Sequence, residues 1–266
     1  MNKFHLIYIG LFLFAFPVTA QETPLSGGSD EPIEISAQES LEWLQNKKQY
    51  KAIGSVIVTQ GDLSLNADEI IADYDETAGD NLNITFITAT GNVILNDVDN
   101  KAYGDKITYN LQTGDIILTG ENVRLVAPEQ TITARDQMTY NTEKGTAKAI
   151  GNATIKTAKE TLKANTITAN FSKDNETNKQ ILDNAVAKGG VTISTTDETI
   201  TGNNGVYNAK NNTAEINGNV KIKRGPNSLE GNRARVNLST NVSQMFGDKN
   251  SGKRVKGVFF PKSENK

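Results

Sequence analysis

Four carboxylates, Asp68, Asp73, Asp75 and Asp105, are the side chains in this sequence that come nearest to a catalytic set. Extended β-coils that cut polysaccharides use such acids. Here, though, the surrounding pattern places them at strand ends and turns, where Asp ordinarily satisfies local backbone groups. No second acid is paired to them by the repeat described below. His5 is the only histidine and there is no cysteine, so the usual proton shuttle, thiolate ligands and disulfides are all excluded from the rest of the chain. No Gly-x-Ser-x-Gly, metal-ligand cluster or phosphate loop is present. The expectation is therefore a protein that is not an enzyme, with no metal and no cofactor.

The segments flanking these residues point to export. Met1-Asn-Lys3 is followed by an apolar run from Phe4 to Phe16 and by small residues at Val18 and Ala20. That is the pattern of a signal peptide spanning 1–20, and the run is too short for the roughly 20 apolar residues a bilayer span needs. Residues 21–30 read as a flexible N-terminus. No later stretch is apolar enough to cross a membrane. Charge is uneven: from Lys221 onward 11 Lys and Arg face 3 Asp and Glu, a net of +8, against −12 over 21–220. Such an end is either a solvated tail or a basic surface for an acidic partner. Nothing in the sequence points to nucleic acid.

A repeat organises everything between. Gly54-Ser-Val-Ile-Val, Gly91-Asn-Val-Ile-Leu, Gly120-Glu-Asn-Val-Arg-Leu, Gly151-Asn-Ala-Thr-Ile, Gly189-Gly-Val-Thr-Ile and Gly218-Asn-Val-Lys-Ile share one phrase. Apolar residues alternate with polar ones after each glycine, which marks a strand with one buried face. The third copy carries one extra residue, as a β-bulge would. A second strand follows in each unit and changes parity in its middle, except in the third unit, around Ala134, Met138 and Tyr140, which is irregular. Leu65 and Ala67 share one phase, while Ile70, Ala72 and Tyr74 share the other, so the strand must bend between them to keep both halves inward. The stretch Glu39–Tyr50, with Trp43, is either a short turn over the end of the coil or part of the first hairpin.

The glycine spacings hide a longer period. Gly54 to Gly151 is 97 residues, and both Gly91 to Gly189 and Gly120 to Gly218 are 98. Lys51-Ala52-Ile53-Gly54 returns letter for letter as Lys148-Ala149-Ile150-Gly151. A tandem duplication follows, with a first block at 31–147, a second at 148–246 continuous with it, and a closing strand and basic tail at 247–266. No unit can bury its own apolar face, so the six units must stack and share one core. The fold class is all-β: an elongated two-sheet coil of antiparallel strands, solenoid-like, with end strands that suit end-to-end assembly.

Several phrases in one order resemble the LptA/OstA-like family of lipopolysaccharide transport proteins. They are Glu31-Pro-Ile-Glu-Ile-Ser, Gly54-Ser-Val-Ile-Val-Thr-Gln-Gly61 with Leu65-Asn-Ala-Asp, Gly104-Asp-Lys-Ile-Thr-Tyr109 with Leu118-Thr-Gly120, and Gly252-Lys-Arg-Val-Lys-Gly-Val-Phe-Phe-Pro261. The resemblance implies a V-shaped OstA-type β-jellyroll in the periplasm that accepts lipid A. It also implies head-to-tail copies bridging an LptC-like protein at the inner membrane to an LptD-like protein at the outer one. The extra 97–98 residues depart from the family's usual length. Inward positions near the groove are the candidate lipid-binding residues: Ile33, Ile35, Val56, Val58, Leu65, Ile70, Val93, Leu95, Tyr109, Leu118 and Val123. Ile33, Ile35, Tyr109 and Leu118 fall where the family's interior contacts lie. Each could equally be an ordinary core residue of a closed, structural or adhesive β-solenoid.

Overall fold

A computed structural model describes residues 32–76, 82–173, 180–240, 242–248 and 252–260. The expected leader, residues 21–31 and the last residues from Pro261 lie outside that set, as do residues 77–81, 174–179, 241 and 249–251. The strands are β1 (Glu34–Ser36), β2 (Ser40–Leu44), β3 (Gln49–Gln60), β4 (Leu63–Glu76), β5 (Leu82–Asp97), β6 (Asn100–Asn110), β7 (Asp115–Thr119), β8 (Val123–Ala127) and β9 (Gln130–Ala134). They continue with β10 (Gln137–Asn141), β11 (Thr146–Thr157), β12 (Glu160–Lys173), β13 (Gln180–Thr195), β14 (Glu198–Asn208), β15 (Thr213–Arg224), β16 (Asn227–Asn237), β17 (Val242–Phe246) and β18 (Lys256–Val258). Among the described residues the only helix is one 3-10 turn, Gln45–Lys47, and no helix is long and apolar enough to cross a membrane.

All 18 strands join one antiparallel ladder, and each long strand is folded across its middle. One arm of β3, β4, β5, β6 and β11 to β16 lies in sheet I with β2, β7, β10 and β17. The other arm lies in sheet II with β1, β8, β9 and β18. The fold line is where the sequence changes parity. Pairing skips between Ile53 and Val56, between Asn66 and Glu69, and at the equivalent place in every later long pair. The two arms then pack face to face: a Cβ on Gly104 in sheet II would sit 2.7 Å from Cδ1 of Leu118 in sheet I.

Left-handed backbone makes the fold possible. At the head of the second block Gly151 has φ +85° and Asn152 +48°, and at the first Gly54 has +86° and Ser55 +42°. Two successive residues in this region turn the strand sharply without ending it. The neighbouring strand also crowds the corner, since a Cβ on Gly151 would lie 2.3 Å from Oδ2 of Asp136.

The expected bulge in the third unit is a wider break. Its extra residue opens a turn between β7 and β8, and Asp105 accepts a hydrogen bond from the Glu121 amide at 2.9 Å. Glu39–Tyr50 forms the first hairpin, not a lid. Two of the four acids sit differently from expectation, while Asp75 lies at the end of β4 as expected. Asp68 and Asp105 lie at the corner within β4 and β6, not at strand ends, and the corner line continues as Glu39, Asp136, Asn165 and Asn203. Each faces the corner glycine of the adjoining strand, so the line is structural: Asp68 accepts from Nδ2 of Asn92 at 3.0 Å. Asp73 accepts from Nε2 of Gln49 at 2.7 Å.

The same contacts recur 97 residues apart. Gln38 donates to the Gly54 carbonyl and Glu39 to Ile53; Arg135 donates to Gly151 and Asp136 to Ile150. β9 and β10 thus serve β11 as β1 and β2 serve β3. The core correspondingly forms two buried clusters, one from Ala52 to Val123 and one from Ile132 to Val236, and Met138 packs against both.

Replacing Gly151 by Val is expected to cost about 2 kcal/mol or more, because strained left-handed backbone adds to the clash with Asp136. Gly190 has φ +74° but nothing within 4 Å of a built Cβ. Asn tolerates that backbone, so Gly190→Asn should lose less than about 1 kcal/mol. Urea unfolding of the two variants checks the difference.

Candidate functional site: the apolar interior

The space between the sheets is lined by rows of side chains that run along the ladder. In sheet II the register links Ile35 to Val58, Leu65, Leu95, Ala102, Leu125 and Ile132. It continues through Ile155, Leu162, Ile193, Ile200, Ile222 and Leu229. No polar residue interrupts it. Neighbouring strands lie about 4.8 Å apart, so like side chains recur at that step along the fold. Sheet I contributes a facing row that begins Ala52, Ile70, Ala89, Ile107 and Leu118 and crosses Met138 into the second block.

Eight of the candidate residues, Val56, Val58, Leu65, Ile70, Val93, Tyr109, Leu118 and Val123, are buried in the first cluster. Leu95 is half-buried in the same row. Ile33 and Ile35 are not enclosed. Ile33 precedes β1 and is 45% exposed; Ile35 shares the inward row with Val58 yet is 37% exposed, because β1 is the end strand and nothing covers it. The same holds for Leu41 and Trp43, opposite Ala52 and Tyr50, at 58% and 55%. Trp43 stacks on Tyr50 at 5.9 Å and donates its indole N–H to the Tyr74 hydroxyl at 2.8 Å. All the candidate positions lie in the first block. Their second-block counterparts, among them Ile155, Leu162, Ile167, Val191 and Ile193, are equally buried. The 97–98 residue offset would have named them.

At the tips of sheet II the inward positions turn polar: Gln60, Gln130, Glu160 and Glu198 are buried there. Oε2 of Glu160 and of Glu198 has no hydrogen-bond partner. Burial pushes the Glu160 carboxyl up to about 7, against a smaller opposing pull from Lys159. Glu198 is raised for the same reason, opposed by Arg224 across the strand pair. Alternation puts these acids on the face shared with Leu162 and Ile200, so in the second block the interior ends in two buried carboxyls. Among the described residues no cluster of His, Asp and Glu could hold a metal ion.

The family model described as LptA/(LptD N-terminal domain) LPS transport protein matches residues 34–146 and again 131–242. The chain belongs to that family. The two LptA/LptD-type matches start 97 residues apart, the interval of the corner glycines, so the block is present twice. The lipopolysaccharide export system proteins LptA of Escherichia coli strain K12 and of Shigella flexneri are each 34% identical over 118 residues. Each alignment covers 32% of this chain and 63% of the relative, so the chain spans 63% of the length of these curated relatives. A crystal structure of LptH, the LptA-homologous periplasmic component of the lipopolysaccharide transport device of Pseudomonas aeruginosa, is 23% identical with a TM-score of 0.35, covering 42% of this chain and 76% of that one.

For this LptA/LptD-type chain the raised Glu160 has a measurable consequence. In the unfolded chain a Glu ionises near its ordinary 4.5, while the folded one holds its proton to about 7. Between these values the unfolded state binds fewer protons, so stability falls as pH rises and levels off above about 7. Glu160→Gln removes that decline. The stability advantage of the variant should grow from about pH 4 to about pH 8, measured by urea unfolding at each pH; a constant difference would contradict the assignment.

Proposed function

We propose that this protein is a periplasmic carrier of lipopolysaccharide that holds lipid A acyl chains between its two sheets, and that it is not a catalyst. The observation that carries this reading is the uninterrupted aliphatic row from Ile35 to Leu229. Water penalises an exposed CH₂ by roughly 0.8 kcal/mol, hence on the order of 9 kcal/mol for a 12-carbon chain. An apolar interior removes most of that cost. Because each strand presents an aliphatic side chain to the row, an acyl chain can pass from one position to the next without crossing a polar barrier. A leader at 1–20 would deliver the carrier to the periplasm.

The exposed inward residues Ile35, Leu41 and Trp43 support assembly. They belong to the interior rows but lack a covering strand, so a further copy or an LptC-like partner stacked on this end would bury them and prolong the rows. An LptD-like protein would receive the other end, where the closing strand β18 and the basic residues lie. The duplication adds six folded strands, β9 with β10 and then β11 to β15, or roughly 29 Å at about 4.8 Å each. Fewer copies would then span the periplasm than for a single-block protein.

Photo-crosslinking in cells tests the carrier role. A photoreactive residue replacing inward Tyr109 or Tyr207 should yield lipopolysaccharide adducts, and one replacing outward Lys163 should yield none. Absence of adducts at both tyrosines would leave an inert structural solenoid.

A further inference from the structure

The two blocks are alike in sequence and pairing, but their interiors are not equally filled. In the first block the sheet I face carries Ile87, Ile107 and Ile116. Ninety-eight residues later the same register positions are Ala185, Gly205 and Ala214. Three branched aliphatic side chains are thus cut to a methyl or a hydrogen at adjoining places on one wall. On the opposite wall Ala102 and Val58 become Ile200 and Ile155, a gain of fewer carbons than the sheet I face loses. A small apolar cleft, open at one side, lies there in the second block.

The glycine is not demanded by the fold. A Cβ on Gly202, the corner residue of the same strand, would strike Cγ2 of Ile216 at 2.3 Å, so that position must remain glycine. At Gly205 the φ is not left-handed, and a Cβ would meet Cδ1 of Ile216 at 3.0 Å, Val191 at 3.7 Å and Ala187 at 3.9 Å. A branched side chain fits at the equivalent residue 107. Empty apolar volume destabilises a core, and this one is left open where the duplicate shows how to close it.

We infer that the second block holds the principal acyl-chain site of this protein, a cleft for one linear saturated hydrocarbon chain centred on Gly205, while the larger side chains at the equivalent first-block positions leave less room for one. The inference rests on the carrier reading above. Leu162 and Ile193 form one wall; Ile167, Ala185, Gly205 and Ala214 form the other. The Tyr207 hydroxyl donates to Asn212 at 3.0 Å, which leaves its ring as the face offered to a ligand. The cleft is lined by residues of β12 to β15, so it runs across the ladder along the interior rows. Only aliphatic and ring carbons line it, and a polar or sugar ligand would find no partners.

The test uses the full chain and two probes, dodecanoic acid with a terminal diazirine and purified lipopolysaccharide. After photolysis, peptide mapping should place the fatty-acid label on β12 to β15 at least five-fold above β4 to β7. The double variant Ala185→Ile with Gly205→Ile, which restores the first-block residues, should lose that label and bind lipopolysaccharide at least ten-fold more weakly, with a Tm no lower than the parent. The converse variant Ile87→Ala with Ile107→Gly should gain label in the first block. Equal labelling of both blocks, or unchanged binding by the filled variant, would overturn the cleft assignment while leaving the carrier role intact. No label and no lipopolysaccharide binding by the parent chain would overturn both. Should the filled variant not fold, the label map of the parent still decides.

Discussion

Every strand in this protein must show the same apolar face to both sheets, and an ordinary β-strand cannot do so after bending. Side chains alternate with a period of two, so a simple fold would turn the second arm's apolar set outward. The left-handed pair at Gly54 and Ser55, repeated at Gly151 and Asn152, resolves this by dropping residues from the ladder at the bend. Val56 and Val58 then face the same interior as Ala52, and Ile155 the same interior as Ala149. The corner acids and amides follow from that constraint. Asp136, which the sequence pattern did not single out, packs where the glycine leaves room beside it.

Once both arms face inward, length becomes a free variable. Each folded strand buries its apolar face against its two neighbours and passes the same edge to the next, so a block of six can be copied without redesigning the core. The duplication uses this freedom, with β9 and β10 standing toward β11 as β1 and β2 stand toward β3. Copying the ladder did not copy the interior volume. Pairing depends on backbone groups, which are identical in both blocks, whereas filling depends on side-chain size, which has diverged at positions such as 107 and 205. Two blocks of one fold can therefore hold cargo unequally.

The ends obey the same logic in reverse. Ile35, Leu41 and Trp43 point along the interior rows yet remain exposed, because a row needs a strand on each side to be enclosed. Their chemistry is that of a core residue, and their exposure is set only by position in the ladder. At the tips of sheet II the interior changes character, and the buried carboxyls of Glu160 and Glu198 make the boundary between apolar lining and solvent sensitive to protonation.

Much of this was legible in the residues alone. Alternation after each glycine and the change of phase between Ala67 and Ile70 required a bent antiparallel strand, and the 97–98 residue interval required a second block. Those features are local or periodic, and a linear chain records them directly. Spatial enclosure is different. Ile35 and Val58 have the same inward phase and aliphatic character, yet one is exposed and the other buried, because only the assembled ladder decides which strand is last. Likewise Gly202 and Gly205 are the same letter three places apart. Ile216, which faces Gly202 across the interior but pairs with Gly205 within its own sheet, would clash with a Cβ at the first and only touch one at the second, a distinction that exists only after the two sheets have closed on each other.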